Sequence, residues 1–230
     1  MISDHPGLPL PVAITRLKRA RRLRLRVDHA AGLIKLTIPW RTSQARALAW
    51  AAEQQPWVAA QLDRAPDARP FADGATVPLE GRDVIILHQP GTRRGVTLAE
   101  EQLLVGGPES GLSASVERWL RDRARLRCSA LAAEIAAEAG VRIASVSVGD
   151  ATTRWGSCAA DGALRFSWRL ILAPPQILRF VVAHEVAHRL HMDHSPAFKA
   201  AEERLVGQAA APLRSELRRL GPSLRAVGRR

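Results

Sequence analysis

The sequence predicts an α+β protein: a small N-terminal mixed β-sheet region with a helical hairpin, followed by a second domain built on helices. Three observations predict it. Short β-branched or alternating segments punctuated by Gly, Pro and Asp fill the first half. Long helical stretches dominate the second. A cluster of breakers, Gly106, Gly107, Pro108 and Gly111, separates the two and sets the expected domains at 1–108 and 109–230. The 230 residues suffice for one sizeable core or two small ones.

Taken in order, Arg16 to Arg26 is strongly basic, and from Arg22 it alternates strictly (Arg22, Leu23, Arg24, Leu25, Arg26, Val27), the pattern of a strand with one apolar and one cationic face. Asp28 to Gly32 reads as a turn, and Leu33, Ile34, Leu36 and Ile38 as a pairing strand ended by Pro39. Ser43 is placed to N-cap a helix reaching Gln55, and Pro56 to open a further helical turn with Trp57, Val58 and Leu62. A Pro-punctuated loop covers Arg64 to Asp73. Short strands are expected around Val77–Leu79, Val84–Leu87, Val96–Leu98 and Leu103–Val105. Ser115 to Ala139 predicts a long helix stopped by Gly140. Strands follow at Val141–Val148, around Trp155, and from Leu164 to Leu172, the last two joined by a turn at Ala159–Gly162. Pro174 and Pro175 start an apolar helix running to about His191, and a final helix runs from Pro196 to Leu220 before a basic tail. The sequence shows no internal repeat.

Composition excludes several classes. No apolar run approaches the ~18 residues of a membrane helix, and the basic stretch follows the polar Met1–Pro11 segment instead of preceding an apolar one, the wrong order for a secretory signal. Two cysteines, Cys128 and Cys158, make no disulfide framework, so a reducing cytoplasm is expected. The net charge is +12, from 34 basic and 22 acidic side chains, and only Lys18, Lys35 and Lys199 are lysine. Such a charge predicts attraction to nucleic acid, anionic lipid or acidic substrates at low salt.

The chemistry concentrates at His184-Glu185-Val186-Ala187-His188, an H-E-x-x-H pattern. At i and i+4 on a helix the two imidazoles share a face and can share one metal ion. Glu185 lies beside them, where a carboxylate can serve as base without being a ligand. The preceding residues, Ile177 to Ala183, are almost all apolar, and burying two histidines and a glutamate among them is costly without a partner. Three positions compete for third ligand. His191 continues the face of a straight helix, His194 follows a bend at Met192–Asp193, and Glu202 or Glu203 lies on the next helix. His194 is favoured because ligands strung along one helix converge poorly on a tetrahedral centre. The His188-to-His194 spacing equals that of metzincins, but His191 replaces their glycine and no methionine follows Met192.

Arg154-Trp155-Gly156-Ser157-Cys158, the H-E-x-x-H segment, and Asp193-His194-Ser195-Pro196-Ala197-Phe198 together resemble the YgjP-like metallopeptidase family, related to the SprT-like and WLM zincins. The resemblance spans about Val12 to Leu220. It implies a zincin-like catalytic domain, Zn2+ held by His184, His188 and His194, and Glu185 as catalytic base acting on a peptide or unfolded-protein substrate. The chain departs from the family pattern at Asp193 and Val186, and neither departure threatens the metal site. It contains no tyrosine, so the phenol that stabilises the oxyanion in several zincins is absent, and Arg154, placed near the site by the family motif, is the first candidate to replace it. Trp155 reads as core and Cys158 as a small buried residue rather than a ligand.

Two other functions fit parts of the pattern. The cationic charge suits a metal-dependent nucleotide pyrophosphatase or other phosphoanhydride hydrolase, although no phosphate-binding glycine loop is present. The basic first strand and the arginines Arg214, Arg218, Arg219, Arg225, Arg229 and Arg230 suit a nucleic-acid-associated module with structural zinc. Against a single-strand stacking platform, no aromatic residue interleaves Arg16–Arg26.

Overall fold

The computed structural model describes every residue except Met1, His29, Ala30, Arg64, Ala65, Thr152 and Arg230. Among the described residues the protein is α+β, with three small mixed sheets and six α-helices. It forms two compact units, Met1–Asp67 and Ala68–Arg230, a division earlier than the one expected after Pro108. The breakers at 106–111 end a strand without ending a domain. Val77, Val84, Ile86, Leu103 and Val105 from the second sheet share one core with the long helix beyond them.

The first unit holds β1 (Ile2–Ser3), β2 (Val12–Leu17), β3 (Arg24–Asp28) and β4 (Leu33–Pro39) in the order β1-β2-β4-β3. The hairpin of β3 and β4 follows the alternation, pairing Leu25 with Leu36 and Val27 with Ile34. The turn expected at Asp28–Gly32 includes His29 and Ala30, which lie outside the described residues. β1 and β2 escaped the sequence reading because Arg16 and the cations after it mask the apolar Val12-Ala13-Ile14 start. Ser43 caps α1 (Gln44–Glu53), its hydroxyl accepting the Arg46 N–H at 3.3 Å, and α2 (Gln55–Asp63) follows almost directly. Ala47, Ala51 and Val58 bury against Ile34, Leu36 and Ile38.

The second unit opens with β5 (Thr76–Leu79), β6 (Arg82–Gln89), β7 (Gly95–Ala99) and β8 (Gln102–Gly106), ordered β5-β6-β8-β7. These strands form a sheet of their own and do not extend the first, so the expected single mixed region is two sheets. Both have the same sequence of antiparallel, parallel and antiparallel pairs, a repeat of topology with no repeat of residues. Helix α3 (Leu112–Ala139) buries one stripe, Val116, Leu120, Ala124, Cys128, Ala132 and Ile135, spaced to stay on one face. Gly140 stops it in the left-handed conformation, φ 66°, where a side chain would be strained.

The third sheet is ordered β10-β11-β9, with β9 (Ser145–Gly149) parallel to β11 (Ala163–Ser167) and β10 (Gly156–Cys158) antiparallel at the edge. Val141 and Ile143 lie outside β9, since Val141 N–H still bonds back to the Ala136 carbonyl of the helix end. The strand expected to reach Leu172 stops at Ser167, and Trp168–Leu172 forms a fully buried 3-10 turn, an apolar run whose periodicity does not separate strand from helix. Helix α4 (Pro175–Ala187) ends before His191, with His188 as its C-cap. The expected final helix is two, α5 (Pro196–Val206) and α6 (Ala210–Ala226), separated by Gly207 at φ 77°. Because α6 runs beyond Leu220, Arg214, Arg218, Arg219 and Arg225 are helical and not part of a tail; Arg230 lies outside the described residues. No described helix is long and apolar enough to cross a membrane.

Candidate metal centre

Helix α4 is apolar on nearly every face and runs through the core of its unit, with Ile177, Leu178, Val182, Ala183 and Val186 almost wholly buried. That burial fixes where its last turn points. His184 and His188 leave the helix a turn apart, and their rings meet edge to face with centroids 5.0 Å apart. The chain then reverses. His191 N–H returns to the Ala187 carbonyl at 3.0 Å, and Asp193 Oδ1 accepts the Ser195 N–H at 3.2 Å. Ser195 caps α5 by accepting the Phe198 N–H at 3.3 Å. This short reversal brings His194 back, 5.4 Å from the His184 ring and 4.8 Å from the His188 ring. One ring nitrogen from each of the three histidines lies within 4.8 Å of the others. Phe198, 1% exposed, lies against all three rings at 4.6–5.1 Å and forms their floor.

The remaining ring contacts set the tautomers. His184 Nδ1 lies 2.7 Å from Glu202 Oε1, and His188 Nδ1 lies 3.2 Å from the His191 carbonyl oxygen. A carboxylate and a carbonyl only accept, so both Nδ1 atoms carry the proton and both Nε2 lone pairs are left free. Burial lowers the pKa of His184 and of His188 below the usual histidine value, outweighing the opposing hydrogen bonds, so both are neutral near pH 7. Three imidazoles, two of them oriented through Nδ1, form a donor set that fits a zinc-type ion.

The other candidate ligands do different work. Glu202, 1% exposed, accepts from His184 and receives two bonds from Arg214 at 2.9 and 2.7 Å. Glu203 is exposed, and His191 contributes only its backbone carbonyl. Cys158 lies outside the histidine group and is half-buried, not buried as expected, its thiol donating to the Ala159 carbonyl.

Glu185 is 6% exposed, and no described residue donates a hydrogen bond to it. Burial raises its pKa to about 7, against the opposing charge of Arg154. Arg154 is itself exposed. Gly156, the first residue of β10, lies directly against the Glu185 carboxyl: a Cβ there would stand 2.5 Å from Oε1. The sequence contains this glycine within the Arg154–Cys158 motif but gives no sign of the close approach that requires it. Beside Glu185 and His184 a cavity of about 250 Å³ is lined by Trp155, Phe180, Val181 and Leu217. Trp155 is therefore a wall of the cavity as well as part of the core, with the Arg225 guanidinium stacked 4.2 Å from its ring.

No curated protein and no solved structure matches the chain. A family model described as YgjP-like, metallopeptidase domain, matches residues 21–219, from the middle of the basic run to the middle of α6, and by that match the chain belongs to the YgjP-like family.

Proposed function

We propose that the protein is a zinc-dependent metallopeptidase of the zincin type, working in the cytoplasm on peptides or unfolded protein. Family membership supports a metal-dependent hydrolase. The observation that carries the finer reading is the convergence of His184, His188 and His194 with two Nδ1 atoms already committed to Glu202 and a carbonyl. These three histidines would hold the ion, which when bound polarises a carbonyl and makes water nucleophilic near neutral pH. Glu185 takes the proton released as water attacks and returns it to the departing amine. Its carboxylate suits this task because no other described group occupies it. Arg154, close enough for its charge to act on Glu185, is the candidate cation for the developing oxyanion in a chain without tyrosine. The edge strand β10 offers main-chain groups along which an extended substrate can pair.

The cavity favours a peptide over a phosphoanhydride. Its walls are mainly apolar, and Arg214, the cation at its margin, is engaged by Glu202. The test is Glu185→Gln, assayed on fluorogenic unfolded casein with zinc content measured in parallel. Loss of turnover by at least a hundredfold with zinc retained is the expected result. A variant as active as the wild type would remove Glu185 from the mechanism, and pyrophosphate release from nucleoside triphosphates without proteolysis would move the protein to the phosphoanhydride class.

A further inference from the structure

The basic segment at Arg16–Arg26 takes no part in the metal centre, and in the folded first unit it forms a surface of its own. Met1–Asp67 carries 11 basic against 5 acidic side chains. A groove of about 640 Å³ is lined by Leu17, Arg19, Arg21, Arg22, Arg24 and Thr37. No described carboxylate pairs with any of these four arginines. The groove opens on the solvent face of the first sheet. Ile34, Leu36 and Ile38 of β4 turn inward to the helices, so Lys35 and Thr37 turn outward, level with Arg26 and Arg24 on β3. Asp28 on this same face is already held by Lys35 at 2.5 Å.

The aromatic group missing from the basic run is supplied from elsewhere in the chain. Leu17, in the groove wall, pairs with Pro39, and the next residue is Trp40. Its indole is 55% exposed, with Lys18 Nζ 5.6 Å from the ring centre. Arg16 donates to the Trp40 and Thr42 carbonyls at 2.7 and 2.8 Å, which fixes the backbone from which the indole projects. No aromatic residue interleaves Arg16–Arg26 in the sequence, but the parallel pairing of β2 with β4 sets Trp40 one residue beyond Pro39, the partner of the groove-wall residue Leu17.

We propose that this face of the first unit binds single-stranded nucleic acid, its phosphates along Arg19, Arg21, Arg22 and Arg24 and a base stacked on Trp40. Unpaired guanidiniums supply the charge that a polyphosphate backbone complements. An exposed indole flanked by cations accepts the face of any unpaired base, whereas bases inside a duplex have no free face to offer.

The test is fluorescence polarisation of the full chain with a fluorescein-labelled 20-mer of deoxythymidine at 50 and 200 mM NaCl. Four phosphate contacts predict that Kd rises about fiftyfold across that interval. Arg21→Glu with Arg22→Glu, both in the loop before β3, should weaken binding at least tenfold, and Trp40→Ala by roughly tenfold, each with Tm unchanged. No binding at 50 mM NaCl, or a double arginine variant that binds like the wild type, would overturn the proposal. So would tighter binding of a duplex of equal length. Trp40→Ala without effect, with inorganic polyphosphate displacing the oligonucleotide charge for charge, would also overturn it, leaving only a polyanion-attracting surface.

Discussion

Gly156→Ala tests the site through a single methyl group. The added Cβ would stand 2.5 Å from Glu185 Oε1, 2.7 Å from Cγ and 2.9 Å from Cδ. Ordinary contact begins near 3.4 Å, so the carboxyl must retreat by about 1 Å. The backbone raises no objection, because Gly156 is not among the glycines with positive φ. Rotating the glutamate off its rotamer costs about 0.5–1.5 kcal/mol, a small change in Tm. A base displaced by about 1 Å costs on the order of a hundredfold in rate. The three atoms nearest the new methyl group all belong to Glu185, so zinc should be retained. The assay is kcat/KM on a fluorogenic peptide, with metal content and thermal melting on the same preparation. Wild-type kcat/KM would refute the reasoning, since the glutamate would then not need its present position. Loss of zinc or of the fold would refute it differently, by showing that Gly156 supports more than Glu185.

Glu202→Gln should lower zinc affinity by roughly ten- to a hundredfold in competition with a chromophoric chelator, because the carboxylate that orients His184 becomes a weaker acceptor; unchanged affinity would exclude that orienting role. Thiol titration at pH 8 should modify Cys158 in the folded protein and Cys128 only on unfolding, since burial raises Cys128 from 9.0 to about 12. The sign follows: the unfolded thiol ionises from about pH 9 while the folded one stays neutral to about 12, so this group's contribution to stability falls as pH rises through that window. Leu120→Ala, at a wholly buried position in the α3 stripe, should cost about 3 kcal/mol in a urea melt.

Periodicity and punctuation determined much of this protein before any coordinates. Ser43 and Gly140 marked helix ends, Pro39 a strand end, and the four-residue step from His184 to His188 a shared helical face, because these signals act within a turn or two of chain. Local signals failed where neighbours decided. Trp168–Leu172 coils because it is buried on all sides, and Pro196–Leu220 divides at a glycine whose left-handed conformation no helical period reveals. Strands β5 to β8 were located, but their membership in the second unit depends on a core shared with α3 and α4.

At the site the same division holds. The residue types were legible in one short segment of sequence. Their arrangement required contacts between residues far apart in the chain: Glu202 against His184, Gly156 against Glu185, and Phe198 beneath three imidazoles. In the first unit, Trp40 comes beside Lys18 because β2 pairs in parallel with β4. A sequence determines what its residues can do within a helical turn or a strand repeat. Which of them meet across tens of residues is decided by how the buried faces close on one another, and that packing is a property of the whole core.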